Sequence, residues 1–235
     1  MSVYLYYLKK TDFSLDQIPL TDQQKEKLNQ FKSKKRQKEW ALSQFLRRFV
    51  FSQKLNLAMD ELVFFEKKHH KPYLINQTDQ AYDFNISHSG DYLVMAVSEP
   101  YTIGLDIETI SDKRSILAIA KSFYTKNEND FLNKMNKDQK AYYFYLIWTL
   151  KEAFLKLDGT GIANGLKQCE FLIEEKKITP KKQAQNHFFL SFTFDDLTLG
   201  SLCLKDKINK KDISLYRINN NFSIVKENFN IVLAR

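Results

Sequence analysis

The chain has 235 residues, 43% of them apolar, with 19 Phe and 12 Tyr, and a formal net charge of +8. That size and apolar content fit one or two globular domains with a sizeable core. No apolar run approaches the roughly 20 residues of a membrane span, and no signal-peptide pattern opens the chain, so a cytoplasmic protein is expected.

The two cysteines, Cys169 and Cys203, lack metal-ligand spacing and read as a reduced pair. The positive excess favours an anionic partner: nucleic acid, a phosphorylated cofactor or an acidic protein. With only 6 Gly and 4 Pro, most of the chain should be regular secondary structure.

In chain order, residues 2–8 read as a strand. Thr21-Asp22 is a helix-start signal, and a helical region follows to about Asn56. Its apolar stripe is Trp40, Leu42, Phe45, Leu46, Phe49 and Val50. The same region carries Lys25, Lys27, Lys32, Lys34, Lys35, Arg36, Lys38, Arg47 and Arg48 against only Glu26 and Glu39. That pattern is either a solvated helix face or an anion-binding one.

Residues 62–65 read as a strand, and His69-His70-Lys71-Pro72-Tyr73 as a turn. The histidine pair lacks further ligands for a metal, whereas Lys71 is held in place by the rigid proline after it. Residues 84–86 and 92–97 read as strands joined by a turn through Ser87-His88-Ser89-Gly90-Asp91, whose donors suit an anion. No nucleophile-elbow pattern accompanies this Ser-His pair, so a hydrolase is not indicated.

Residues 103–108 read as a strand, and 115–123, 125–135 and 138–157 as helices. Asp158-Gly159-Thr160-Gly161 stops the last of them. Short strands are expected at 169–173, 188–194, 199–204, 213–218 and 229–233. Strand, long helix and strands are followed by strand, helices and strands. This order predicts an α+β fold of two similar halves meeting near residues 100–105.

Ile103, Leu105 and Ile107 alternate with Gly104, Asp106 and Glu108. On a strand, Asp106 and Glu108 therefore leave one face and the aliphatic side chains the other. Trp148, Glu152 and Lys156 are four apart, so a helix stacks them on one side. If that helix packs beside the strand, three carboxylates and an ammonium converge. Carboxylates held so close repel unless a cation or a proton joins them.

Three carboxylates without His or Cys suit a hard cation, Mg²⁺ or Mn²⁺, which keeps waters and binds substrate phosphates. Lys156 suits a phosphate charge. A surface ion-pair helix would explain Lys151, Glu152 and Lys156 alone, but not the strand carboxylates beside them. There is no phosphate-binding Gly-rich loop. The residues leave open a metal-dependent nuclease or phosphodiesterase, an enzyme holding a cofactor's phosphate on the basic helix, and a non-enzymatic binding module whose acids are structural.

Four motifs in series are more specific. His70-Lys71-Pro72, Phe84-Asn85-Ile86-Ser87-His88-Ser89-Gly90, Ile103-Gly104-Leu105-Asp106-Ile107-Glu108 and Trp148 to Lys156 occur in an order and spacing that resembles the Sfp-type 4'-phosphopantetheinyl transferases. The resemblance extends from the basic helix to about Gly161. It implies transfer of the phosphopantetheine arm of coenzyme A to a serine of an apo carrier protein or carrier domain, with release of 3',5'-ADP. It also implies a pseudo-twofold α+β fold with coenzyme A in the cleft. Residues 1–102 would form the half with the basic helix and coenzyme grip. Residues 103–235 would form the half with the metal carboxylates and catalytic helix.

By the resemblance, Asp106, Glu108 and Glu152 are the Mg²⁺ ligands, and Asp106 also lies on the coenzyme. Glu152 is in addition the base for the carrier serine. Lys156 contacts the pyrophosphate and assists the leaving group. Ser87, His88 and Lys71 contact phosphates, and Lys35 and Lys38 hold the adenosine 3'-phosphate. Phe123-Tyr124 and the following loop would meet the carrier, which is expected to be acidic. Neither nucleic acid nor membrane is an expected partner, and a chain with both halves is expected to act as a monomer. The chain departs from the family in the basic helix. Lys35, Lys38 and Ser43 stand where the family tends to have arginines and a small residue, Arg48 is the closing arginine, and Glu39 stands where some members have a basic residue.

Overall fold

Period-two alternation of apolar residues builds two sheets that share one core. The computed structural model describes residues 2–67, 70–76, 81–111, 115–159, 165–174, 177–228 and 230–234, with positions 138 and 158 as backbone only. The chain opens with β1 (Ser2–Lys9), α1 (Asp22–Asn29) and α2 (Lys34–Leu55). The short pair β2 (Phe64–Phe65) and β3 (Tyr73–Leu74) precedes the hairpin of β4 (Asp83–Ser89) and β5 (Tyr92–Glu99). Then come β6 (Ile103–Thr109), α3 (Ile116–Phe123), α4 (Lys126–Lys134) and α5 (Lys137–Asp158). Strands β7 (Cys169–Glu174), β8 (Lys177–Lys182), β9 (Phe188–Thr193), β10 (Thr198–Leu204), β11 (Ile213–Ile218), β12 (Ile224–Glu227) and β13 (Asn230–Ala234) complete it.

One sheet has the order β12-β11-β1-β5-β4, and the other β6-β10-β9-β13-β8-β7. The same connectivity occurs in both. β1 leads through helices to a hairpin whose second strand, β5, pairs antiparallel with it; β6 leads through helices to the β9–β10 hairpin, whose second strand pairs antiparallel with β6. This is the expected α+β fold of two similar halves.

Val3, Leu5, Val94 and Ala96 of the first sheet meet Ile103, Leu105, Ile107, Leu190 and Leu202 of the second in a buried inter-sheet layer. α2 covers the outer face of the first sheet, placing Leu42, Phe45 and Leu46 with Leu8, Phe84 and Leu93. α5 covers the outer face of the second, placing Leu146, Leu150 and Ala153 with Phe189, Leu199 and Cys203. The layers are therefore helix, sheet, sheet, helix. Fully burying each such aliphatic side chain is worth about 1.5–3 kcal/mol, so the inter-sheet layer ties the halves firmly.

Several expectations change. The helical region from Asp22 to Asn56 is two helices. The Gln37 amide closes the first by donating to the carbonyls of Leu28 and Phe31 (3.3 and 3.1 Å), and Ser33 caps the second. Ser87, His88 and Ser89 belong to β4 rather than to a turn; only Gly90-Asp91 turns, with Gly90 at φ +54°. The strand at 62–65 shrinks to Phe64–Phe65. β8 and β12 were not expected, because lysines and Pro180 mask the one and the other is four residues long.

The division at 102/103 also fails for part of the tail. β11 pairs in parallel with β1, and β12 pairs with β11, so residues 213–227 belong to the first sheet. His69, Thr160-Gly161 and Phe229 lie outside the described residues. Among the described residues, no helix is long and apolar enough to cross a membrane.

Candidate active site

β4 is an edge of the first sheet and β6 an edge of the second, and the two lie side by side. Side chains, not backbone, join them. Asp83 Oδ2 accepts from Ile103 N–H (2.7 Å), Asn85 Oδ1 from Leu105 N–H (3.2 Å), Ser87 Oγ from Ile107 N–H (3.3 Å) and Ser89 Oγ from Thr109 N–H (2.9 Å). Every second residue of β4 thus satisfies every second amide of β6, always twenty positions on. An edge strand's amides would otherwise be unpaired in a buried place.

The other face of β6 meets α5. A Cβ at Gly104 would lie 1.9 Å from the Ala153 carbonyl oxygen and 2.7 Å from Leu157 N. Only glycine allows this approach, and the approach carries Glu152 and Lys156 over Asp106. Lys156 Nζ lies 2.6 Å from Asp106 Oδ1 and 3.1 Å from Ser87 Oγ, and the Ser87 hydroxyl donates to the same Asp106 oxygen at 2.9 Å. Ser89 Oγ donates to Glu108 Oε2 at 2.9 Å.

Asp106 and Glu152 are each about 5% exposed, and Asp106 Oδ2 and Glu152 Oε1 are buried with no hydrogen-bond partner. Burial pushes the Glu152 carboxyl up to about 7, Asp106 and Glu108 push the same way, and Lys156 opposes them. Unpartnered carboxylate oxygens at a dry site are costly unless a cation or proton meets them. The all-oxygen donor set fits a hard divalent ion. Among the described residues, no three His, Cys, Asp or Glu side chains stand ready as an ion cage; Ser87, Lys156 and Ser89 hold the strand carboxylates instead.

A basic flank lies on the α2 side. His88 Nδ1 is 4.0 Å from Glu39 Oε1, to which Lys10 Nζ donates at 2.9 Å. Burial lowers His88 below the usual histidine value, with Lys10, Lys156 and Lys35 acting alike and Glu39 opposing. Burial acts to raise Glu39, but Lys10, His88 and Lys35 outweigh it and hold the carboxyl below the usual range. Lys35 is exposed and Lys38 half-exposed in the first turns of α2.

Lys71 ion-pairs with Asp83 and donates to the Ile103 carbonyl at 2.6 Å. It borders a cavity of about 390 Å³ that also touches Phe65, His70, Tyr73 and Leu157. A larger cavity, about 660 Å³ between α1, α2 and β2, contains none of the carboxylates described above. Arg48 donates to the carbonyls of Met59 and Leu62 (2.6 and 2.8 Å), bracing the segment after α2.

Residues 102–206 match the family described as the 4'-phosphopantetheinyl transferase superfamily, and residues 9–100 match that described as 4'-phosphopantetheinyl transferase, N-terminal. The chain belongs to the 4'-phosphopantetheinyl transferase superfamily. It is 40% identical over 126 residues to the 4'-phosphopantetheinyl transferase psf-1 of Bacillus pumilus, covering 53% of this chain and 52% of that one. Against the 4'-phosphopantetheinyl transferase Sfp of Bacillus subtilis (strain 168) it is 34% identical over 145 residues, covering 61% and 62%. Against the L-aminoadipate-semialdehyde dehydrogenase-phosphopantetheinyl transferase of Xenopus laevis it is 28% identical over 158 residues, covering 63% and 52%. The chain spans about half to three fifths of the length of these curated relatives.

Of the transferase residues expected from the sequence, Ser87, Asp106, Glu108, Glu152 and Lys156 come together at the β4–β6–α5 junction. His88 and Lys35 face the α2 side, and Lys71 sits beside Asp83. Four features were not anticipated: Lys10, Ser89 as a support for Glu108, Asp83 with Asn85 as joint residues, and the burial of Lys151. Lys151 is not on a surface ion-pair face. It is fully buried, 2.9 Å from Glu128, and donates to the carbonyls of Leu166 and Cys169 (2.6 and 2.7 Å). The Asp83-x-Asn85-x-Ser87-x-Ser89 alternation was the available signal for the joint.

Proposed function

We propose that this chain transfers the 4'-phosphopantetheine arm of coenzyme A to a serine hydroxyl of an apo carrier protein. The observation that carries this reading is the pair of unpartnered buried oxygens, Asp106 Oδ2 and Glu152 Oε1, beside the Lys156 ammonium. The serine Oγ would attack the phosphorus that bears the pantetheine arm. The bond from that phosphorus to the bridging oxygen would break, and 3',5'-ADP would leave.

Asp106, Glu108 and Glu152 would hold Mg²⁺, with Mn²⁺ as the other hard ion the oxygens suit. That ion would supply charge neutralisation at the pyrophosphate. Glu152 would also take the serine proton, directly or through a water. Lys156 would offset charge on the leaving oxygen. The +8 net charge supports an acidic carrier, drawn in by complementary charge. A soluble monomer in the cytoplasm completes the proposal.

The test is to incubate the protein with an apo carrier protein, coenzyme A and Mg²⁺ and to weigh the carrier by mass spectrometry. Addition of one phosphopantetheine is expected. No addition to any of several unrelated carriers would refute the reading.

A further inference from the structure

Lys10 is a charged residue at the end of β1 that is only 9% exposed. Its backbone N–H donates to the Asp91 carbonyl at 2.7 Å, which fixes it against the turn of the β4–β5 hairpin. Its ammonium reaches Glu39 Oε1 on α2 at 2.9 Å, and that same oxygen lies 4.0 Å from His88 Nδ1 on β4. Lys35 stands one helical turn before Glu39. Three elements therefore bring Lys10, Lys35 and His88 around the Glu39 carboxylate, while Lys156 of α5, itself paired with Asp106, adds its charge at His88.

We infer that Lys10 binds the ribose phosphate of coenzyme A, and that Glu39 is an internal counter-ion which this phosphate displaces. The inference rests on the proposed function and extends it. A phosphate monoester carries nearly two negative charges at neutral pH, because its second pKa is about 6. Each pyrophosphate phosphorus of coenzyme A carries only one, and the pyrophosphate belongs beside Lys156 and the strand carboxylates. The dianion therefore belongs on the cations of the α2 side. There it meets Lys10 in a partly desolvated place where charge-assisted hydrogen bonds are strong.

The Glu39 carboxylate competes for the same donors and repels the dianion if it stays. The affinity is thus held below what the cations alone would give. The product 3',5'-ADP carries the same phosphate, so the return of Glu39 to Lys10 favours product release. Glu39 and Lys10 act on the affinity for the substrate, not on the bond that breaks.

The experiment is calorimetric titration of coenzyme A and of 3'-dephospho-coenzyme A, with Mg²⁺ present, into wild type, Glu39→Gln, Lys10→Gln and the double variant. Glutamine keeps an acceptor for Lys10 but removes the charge. Glu39→Gln should bind coenzyme A roughly tenfold tighter, the size of a unit charge acting at about 3 Å through water. It should bind the dephospho compound no more than about twofold tighter. Lys10→Gln should weaken coenzyme A binding roughly tenfold in the Glu39→Gln background and by less in wild type, where the Glu39 carboxylate competes for Lys10. Unchanged or weaker coenzyme A binding by Glu39→Gln would overturn the inference, and so would equal tightening for both compounds. Failure of wild type to bind coenzyme A would overturn the proposed function with it, whereas wild-type binding without these variant effects would overturn the inference alone.

Discussion

The raised Glu152 carboxyl makes the metal-free protein sensitive to pH in a calculable direction. Its value in the fold is about 7 against an ordinary 4.5, with burial as the main cause and Asp106 and Glu108 adding to it. Below pH 4.5 both folded and unfolded chains carry the proton, and Glu152 is neutral in its effect. Between 4.5 and 7 the unfolded chain releases the proton while the folded chain keeps it, so folding stability falls as pH rises. Above 7 the full penalty remains. At about 1.4 kcal/mol per pH unit, the penalty is about 3 kcal/mol. In a chain of this length it corresponds to roughly 6–12 °C in melting temperature.

Glu152→Gln removes the ionisation and keeps the shape. In EDTA at pH 8, the variant should therefore be more stable than wild type by up to about 3 kcal/mol, and the difference should vanish near pH 4.5. Excess Mg²⁺ should narrow the gap, because a bound cation favours the ionised form that the variant lacks. The assay is urea denaturation followed by fluorescence at several pH values, with and without Mg²⁺. Parallel pH profiles for the two proteins in EDTA would refute the assignment of Glu152 as a strained acid. The same variant should lose most of its transfer activity, so stability and function would move in opposite directions.

Gly104→Ala should cost at least about 3 kcal/mol and abolish transfer, since its Cβ would sit 1.9 Å from the Ala153 carbonyl oxygen; denaturation within 1 kcal/mol of wild type would count against the close packing of α5 on β6. Ser89→Ala removes the hydroxyl that donates to Glu108, and titration should show Mg²⁺ affinity falling roughly tenfold while metal-free coenzyme A binding holds within about twofold; unchanged Mg²⁺ affinity would show that Glu108 needs no such support. Lys151→Met should destabilise by about 3–5 kcal/mol, because Glu128 is left as an uncompensated buried charge, and adding Glu128→Gln should recover part of that loss in urea titrations; a double variant no better than the single one would argue against the pair.

What was legible in the sequence is what periodicity encodes. Ile103 to Glu108 alternates cleanly, and Trp148, Glu152 and Lys156 repeat at helical spacing, so the strand, the helix and their facing sides could be read directly. The meeting of Asp106 with Lys156 then required only that the helix pack on the strand, and Gly104 was present to allow it. Ser87-His88-Ser89 misled for a physical reason. Consecutive polar residues before Gly-Asp have the chemistry of a turn, yet here alternate members face β6 and replace a backbone partner. Lys151 misled because burial depends on Glu128, twenty-three positions away, which no local pattern ties to it. Lys10 follows a strand as an ordinary surface lysine would, and its burial arises only when α2 brings Glu39 to it.

The joint between the halves also explains why metal and coenzyme would bind together on the proposed reading. Ser87 has one hydroxyl proton and two lone pairs. The proton goes to Asp106, and the lone pairs take Ile107 N–H and Lys156. Ser87 therefore has no donor left for a phosphate while Asp106 demands one, and Lys156 is engaged by the same carboxylate oxygen. Once Asp106 is satisfied by a cation, the Ser87 hydroxyl and the Lys156 ammonium become available together, and an anion beside them can accept from both. The Ile107 amide meanwhile keeps Ser87 Oγ fixed, so the donor changes direction without the strand moving. On that reading each ligand would improve the site for the other by the same free energy, as reciprocity requires, through a serine shared between two sheet edges.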